Sequence, residues 1–491
     1  MSLGKQVITS SSILVGIKFF QRLVGLISIL FLARLLTPED FAIVALVAIT
    51  VHFFDILSNA GSEQYIIQKG RVSIDDLNTA WTIDLSMKSL LWVMLILSAP
   101  LAATFFENPE LENALLAASF ILLINAAKNP GLFLKKQNFE YGQIFWLSVL
   151  QRVLTFIIVI AIAYIEQSYW ALIIGDIVSS IIYTAGSYKI DKHRPKLCFD
   201  EWKTQWHFSG WLLLKSIIGY IRSQIDILIV SKLFPHSQLG QYYMARDIAM
   251  LPSHNLLLPA IEPLLALFRT SRNDLEAFEF QVRLSLFVII SISIPISIFI
   301  FFFSESIVLT LLGSQWITAI PILSVMSLLL FYFSIILILE QSLLALQKTR
   351  TVFLYDLVSL IFITTGLLLS YDSSLTEIGL IRGLLGITTM LFLVAYMKHL
   401  IGLKVFRLLI LTLPVISASL LSSWIIISVS YEFEEPVFNL IEELVLYVFL
   451  FCLFSALFFF KVQLQEVNKL KVIFLNYLNN INFLKNKSGK L

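Results

Sequence analysis

Three ionisable residues interrupt the apolar run "LLLKSIIGYIRSQIDILIV" at 212–230: Lys215, Arg222 and Asp226. With Gly219 they follow spacings of four, three and four, which places them on one helical face. Lys18, Arg22 and Gly25 repeat the four-and-three spacing in an earlier apolar stretch, and Arg152 lies inside another. Lys18 and Lys215 lie near enough to a span end to snorkel. Arg22, Arg152 and Arg222 lie near mid-span. A charge at the bilayer centre costs about 2.5–3.5 kcal/mol, so three unpartnered arginines would cost roughly 8–10 kcal/mol. They need water, a partner or a ligand. A guanidinium binds phosphate bidentately. One reading is therefore a water-filled cationic cavity for an anionic substrate, lined by Arg22, Arg152, Lys215 and Arg222, with Lys18 and Arg246 in support. The other is a structural network. Arg222 would then pair with Asp226 at i,i+4 and Asp84 with Lys88, while Asp55 or Asp176 would neutralise Arg22 or Arg152.

The elements that must position these groups are membrane spans. The chain has 491 residues, 58% hydrophobic, with a mean hydropathy of +0.85. Apolar runs long enough to cross about 30 Å of hydrocarbon recur from end to end. The pattern predicts an all-α polytopic membrane protein with about fourteen spans near 11–33, 41–61, 81–105, 112–127, 141–165, 168–188, 207–231, 239–266, 284–311, 317–346, 352–370, 377–397, 406–430 and 440–460. Twenty-five of the 35 Lys and Arg fall on one set of loops and ends, Arg283 among them, and two, Arg34 and Lys232, on the other. The positive-inside rule then puts both termini in the cytoplasm.

A shift of 198 residues lays "ARLLTPEDFA" (33–42) on "SKLFPHSQLG" (231–240), so that Arg34 falls on Lys232. Two parallel six-span repeats follow, a plan in which the substrate site lies between the halves. The expected organisation is a first lobe at 1–190, an amphipathic linker at 191–206, a second lobe at 207–400, an added helix pair at 401–462 and an amphipathic tail at 463–491. In the linker, "PKLCFDEWKTQW" (195–206) reads as an interfacial helix. Pro252, Pro259 and Pro263 interrupt the eighth span. They read as a hinge or a static bend beside a cavity.

Several chemistries have no signature. There is no phosphate-binding Gly loop, no HExxH helix and no clustered Cys/His set. The two cysteines, Cys198 and Cys452, lack metal-ligand spacing. No cofactor, metal or nucleic acid is expected. A membrane glycosyltransferase or ligase remains an alternative, with Glu107 or Glu305 as its acid, although the short outer loops leave little room for an acceptor.

The sequence resembles the Wzx-type polysaccharide exporters of the multidrug/oligosaccharidyl-lipid/polysaccharide (MOP) flippase superfamily, with a likeness to the colanic-acid and teichuronic-acid exporter branch. The resemblance is carried by "LARLLTPEDFAIVAL", "NAGSEQYIIQK", "LKKQNFEYGQI" and "YWALIIGDI" in the first half, and by "LGQYYMARDIAMLP", "GSQWITAIPIL" and "LLALQKTR" in the second. Ala42 stands where the family usually has Gly, and "PAIEPLLALFRTSRND" departs from its usual exit from the eighth span. The resemblance implies two pseudo-symmetric six-helix bundles forming a V. It implies an inner-membrane flippase for an undecaprenyl-diphosphate-linked oligosaccharide used in a surface polysaccharide, working among membrane lipids and alongside a polysaccharide polymerase. A proton or sodium gradient would drive it, with Asp226, Asp176 and Asp55 as candidate coupling acids. A cation-coupled multidrug exporter of the same superfamily is the alternative, and the midplane arginines count against it.

Overall fold

The computed structural model describes residues 16–17, 20–21, 24–25, 27–58, 62–69, 72–138, 140–200, 202, 210–429, 433–460 and 466. Lys18, Arg22, Trp206 and the tail from 467 onward lie outside them. In chain order the helices are α1 (Pro38–Ser58), α2 (Ser62–Gln68), α3 (Ile74–Phe105), α4 (Glu110–Ala126), α5 (Gly131–Gln137), α6 (Tyr141–Glu166), α7 (Trp170–Ile190), α8 (Gly210–Leu233), α9 (His236–Pro252), α10 (Leu258–Ile261), α11 (Leu264–Ser271), α12 (Leu275–Phe302), α13 (Ser304–Leu311), α14 (Ala319–Ala345), α15 (Thr349–Leu368), α16 (Leu375–Ile401), α17 (Val405–Val429) and α18 (Pro436–Phe460). Helix also covers 27–35.

Among the described residues, eleven helices are long and apolar enough to cross a membrane, twelve if α4 and α5, bent by 64°, form one span. The charged α8 has 24 residues but is not in that set. Much of the expected first span, 11–33, lies outside the described residues. Large apolar side chains such as Leu101 and Ile165, 72% and 75% exposed, face outward. Lipid is the solvent that suits such a surface.

α1, α3, α4, α6 and α7 pack as one lobe, and α8, α9, α12, α14, α15 and α16 as another. α17 and α18 lean on α12 and α13 of the second lobe, where Tyr447 donates its hydroxyl to the Pro295 carbonyl at 2.8 Å. α1 starts at Pro38 and α9 at His236, 198 residues apart, the shift that aligns the two sequence segments.

Two span starts differ from the sequence reading. α3 begins at Ile74, not near 81, because Ser73 and Asp76 form a capping box there. α12 begins at Leu275, not 284, capped by the Asp274 side chain. Arg283 is therefore a buried helix residue, not a loop cation. Its Nε donates to Glu279 Oε1 at 2.7 Å, one turn away, and it also contacts Glu466, which Arg407 holds at 3.0 Å. Pairing lets the helix start nine residues earlier than hydropathy suggests.

In the linker, the described part of the expected 195–206 helix is divided: residue 202 is helical, and 201 and 203–206 lie outside the described residues. Residues 191–199 are not helical. Their backbone N–H groups go instead to α3 side chains, Lys196 N to Asn78 Oδ1 at 3.1 Å and Cys198 N to Thr82 Oγ1 at 3.0 Å. Asn129, 1% exposed, ties this strap to the α4–α5 bend, donating Nδ2 to the carbonyls of Asp191 and His193 at 2.9 Å each and accepting from Gly131 N. Replacing a residue with several such bonds by alanine leaves buried groups unpaired at about 1–3 kcal/mol. Asn129→Ala should therefore speed protease cleavage within 191–200 in membranes, with the rest of the chain intact.

Candidate functional site

The ionisable face of α8 meets carboxylates from two helices beside it. Arg222 Nε lies 2.9 Å from Asp356 Oδ1 on α15, and its Nη2 lies 3.4 Å from Glu340 Oε1 on α14. Lys215 reaches the other Glu340 oxygen at 3.9 Å. Arg222 and Asp226 do not pair with each other. Asp226, fully buried, instead faces Arg246 of α9 at 3.1 Å and Arg382 of α16 at 3.8 Å, and accepts from the Tyr242 hydroxyl at 3.1 Å. Successive side chains on one stripe point at different neighbours, and each finds a better partner across the bundle than along it. Arg382 also donates to the Tyr332 hydroxyl at 2.7 Å. The second lobe thus sets four cations against three carboxylates.

Three of these guanidinium groups, Arg222, Arg246 and Arg382, still line a cavity of about 120 Å³ together with His254. His254 also lines a larger cavity between the lobes, about 490 Å³, where Gln151 and Arg152 of the first lobe face Asn255 and Glu262 of the second. The second-lobe wall is the proline-interrupted span. After Pro252 the helix passes through one π-helical turn, Ser253–Leu257, before α10. The wider turn and the missing proline donors break the ladder where the wall meets the cavity. Arg152 passes so close to Gly25 that a Cβ there would lie 2.9 Å from its Nη2.

One end of the cleft between the lobes is sealed. Trp316 Nε1 donates to the Ala33 carbonyl at 2.8 Å, and Gln315 Nε2 donates to the carbonyls of Ala33 and Leu36. Gly240 sits directly on Pro38, where a Cβ would fall 1.8 Å from the Pro38 oxygen. The repeat-related cations cross in opposite directions. Arg34 donates to the Thr310 carbonyl at 3.2 Å, and Lys232 to the Phe105 carbonyl at 3.0 Å and to Glu107 at 2.5 Å. Lys232 holds the Glu107 carboxyl below its usual range. A lowered carboxyl keeps its ion pair at neutral pH and loses it only as pH falls through the lowered value.

In the first lobe, Asp55 and Asp176 line a cavity of about 400 Å³ with His52. Asp55 also faces a second one of about 540 Å³ that holds Asp84 and Lys88. Of the cations expected to line the substrate cavity, Arg152, Arg222 and Arg246 border the two adjoining cavities, Lys215 stands beside Glu340, and Lys18 and Arg22 are outside the described residues. Sequence reasoning missed Glu340, Asp356 and His254. The first two carried a usable signal, because "ILILEQSLL" and "FLYDLVSL" each contain one acid in an apolar run.

A family model described as "Polysaccharide biosynthesis protein" matches residues 31–321. The chain is 22% identical over 317 residues to the succinoglycan biosynthesis transport protein ExoT of Rhizobium meliloti (strain 1021), a match covering 64% of this chain and 62% of the relative. It is 21% identical over 306 residues to the lipopolysaccharide biosynthesis protein WzxC of Escherichia coli (strain K12), covering 62% of each. The matched stretch is thus under two thirds of either relative. Among solved structures, lipid II flippase MurJ in an inward closed conformation aligns with a TM-score of 0.75 at 17% identity, over 91% of this chain and 99% of MurJ. An inward-facing multidrug resistance MATE family transporter of the MOP superfamily aligns with a TM-score of 0.60 at 13% identity, over 80% and 99%. The fold is the one these transporters share.

Proposed function

We propose, from the premise that the chain belongs to the polysaccharide biosynthesis protein family, that it is a flippase for a lipid-linked oligosaccharide used in a bacterial surface polysaccharide. The observation that carries this reading is the cavity between two repeat-related lobes, with Arg152 on its wall and its Trp316 end sealed. An alternating-access transporter needs such a site between its halves, reachable from one side at a time. The protein acts as a transporter and not as an enzyme, in the inner membrane. The basic end faces the cytoplasm and the sealed end the periplasm.

Arg152 has the leading role in binding the undecaprenyl diphosphate. Arg22 and Lys18 join it from the first span, and Arg222, Arg246 and Lys215 contribute from the second lobe as far as their carboxylates release them. Pro252, Pro259 and Pro263, with the π-helical turn, form the bend on which the second lobe rocks. Asp55, which lines both first-lobe cavities, is better placed to bind a coupling proton or sodium ion than Asp226, which two arginines hold, or Asp176, which feels the charge of Arg152. A polymerase would receive the product outside.

The test is the leaflet distribution of lipid-linked oligosaccharide in cells lacking the gene, with wild type or Arg152→Ala restored. Accumulation on the cytoplasmic side that only wild type relieves is the expected result. An unchanged distribution in the deleted cells, together with altered drug sensitivity, would replace this reading with a multidrug exporter.

A further inference from the structure

The largest of the cavities described above lies inside the first lobe, and its chemistry differs from that of the arginine-lined space. It measures about 540 Å³, within the range of small-molecule sites. Its charged lining balances, three carboxylates against three lysines, and the rest includes the amides Gln21, Asn125 and Gln151, five hydroxyls and the ring of Trp81, with Asn129 committed to the strap. Gln151 is fixed by donating Nε2 to the Ser179 hydroxyl at 2.9 Å, while the Asn125 side chain makes no hydrogen bond to another described residue in either cavity it lines.

A balanced site gives no net attraction to a second anion or to a cation. It does offer donors and acceptors in mixed array, which is what a neutral polyhydroxylated ligand needs, since each hydroxyl both donates and accepts. The Trp81 ring adds an apolar face of the kind that packs on C–H groups. The cavity also continues into the space between the lobes, because Gln21 and Gln151 line both. A group anchored beside Arg152 therefore has its next covalent neighbour at the mouth of the amide-rich chamber.

Resting on the flippase reading, we infer that this first-lobe chamber is the saccharide subsite, taking the uncharged sugars of the lipid-linked headgroup while Arg152 holds the diphosphate. Affinity for the common anchor and choice among glycans then reside in different residues. The balance of charge assigns the chamber to neutral hexose-type rings before uronic acids.

The experiment uses a set of bacterial strains that each lack their own flippase and make lipid-diphosphate-linked saccharides differing only in their sugars. Each receives wild type, Asn125→Ala, Gln151→Ala or Arg152→Ala, and outer-leaflet saccharide is measured. The two chamber variants should change the ratio between the best- and worst-exported glycans about tenfold, equivalent to about 1.4 kcal/mol. Arg152→Ala should lower all glycans by one factor. Chamber variants present at wild-type amounts with unchanged ratios overturn the inference. A second measurement covers misfolded variants. Purified full-length protein is titrated with the saccharides freed from those lipids by mild acid, and Trp fluorescence is read in wild type and Trp81→Phe. A change that Trp81→Phe abolishes supports the chamber, and no change in wild type overturns it. If wild type exports from no strain, the flippase reading falls, and the titration still judges whether the chamber holds sugar.

Discussion

Replacing Arg222 by alanine should destabilise the protein by about 3–5 kcal/mol, the usual cost of removing one partner from a buried ion pair. The guanidinium stands between Asp356 and Glu340, whose side chains are 2% and 11% exposed. Without it, two carboxylates remain in a low-dielectric interior with only Lys215 near, at 3.9 Å from Glu340. Heating purified Arg222→Ala in detergent should therefore remove monodisperse protein at a markedly lower temperature than wild type. Neutralising both acids with Glu340→Gln and Asp356→Asn in the same chain should recover most of that loss, because what costs energy is the stranded charge. Export by the rescued triple variant then separates two roles that the single variant confounds. Normal export makes Arg222 a strut. Lost export at normal stability gives it a part in moving substrate. A single variant as stable as wild type would contradict the ion cluster itself.

The second large effect is expected at Gly240. A methyl group there meets the Pro38 oxygen at 1.8 Å and its carbonyl carbon at 2.6 Å. Backbone faces backbone, so no rotamer change relieves the overlap, and α1 and α9 must separate. Overpacking of this kind costs about 1–3 kcal/mol, and it falls only on the state in which this end is closed. Gly240→Ala should therefore accumulate in the membrane normally but spend less time sealed, with transport down at least about tenfold, the effect of about 1.4 kcal/mol. The check is a cysteine at Leu36, 1% exposed in the sealed state, in a chain with free Cys198 and Cys452 replaced by serine. A membrane-impermeant maleimide added from outside should label it faster in Gly240→Ala. Unchanged labelling with full export would show that the two backbones part little during the cycle.

The all-helical, many-span character of the chain was legible in the sequence because it is a compositional property, and the ionisable stripe on α8 because it is a periodic one. Proline spacing likewise located the break that became the π-helical turn at Ser253–Leu257. The partners of the buried charges were not legible. Asp226 could be matched to Arg222 by local spacing, yet it pairs with Arg246 and Arg382, and only the packing of α8, α9 and α16 decides that. The starts of α3 and α12 were misplaced because hydropathy counts Asp76, Glu279 and Arg283 as polar, whereas capping and pairing make them helix residues. The non-helical strap at 191–199, which holds the first part of the expected 195–206 helix, was not legible either. Its amphipathic spacing is real, but Asn78, Thr82 and Asn129 supply hydrogen bonds that compete with helix formation.

The sealed end also sets an energy scale. Most of its cross-lobe hydrogen bonds end on backbone carbonyls: Trp316 and Gln315 on Ala33, Gln315 on Leu36, Arg34 on Thr310 and Lys232 on Phe105. Breaking them leaves no carboxylate stranded, and each is worth about 0.5–1.5 kcal/mol net. Five such bonds give about 3–7 kcal/mol. Inverting a two-state population from 1:99 to 99:1 takes about 5.5 kcal/mol of differential binding. The hydrogen-bonded part of the seal is therefore of a size that one well-bound substrate can offset. Sealing mostly on neutral acceptors, with the exposed Lys232–Glu107 pair the exception, makes the reversal thermodynamically shallow, which suits the alternating access proposed above.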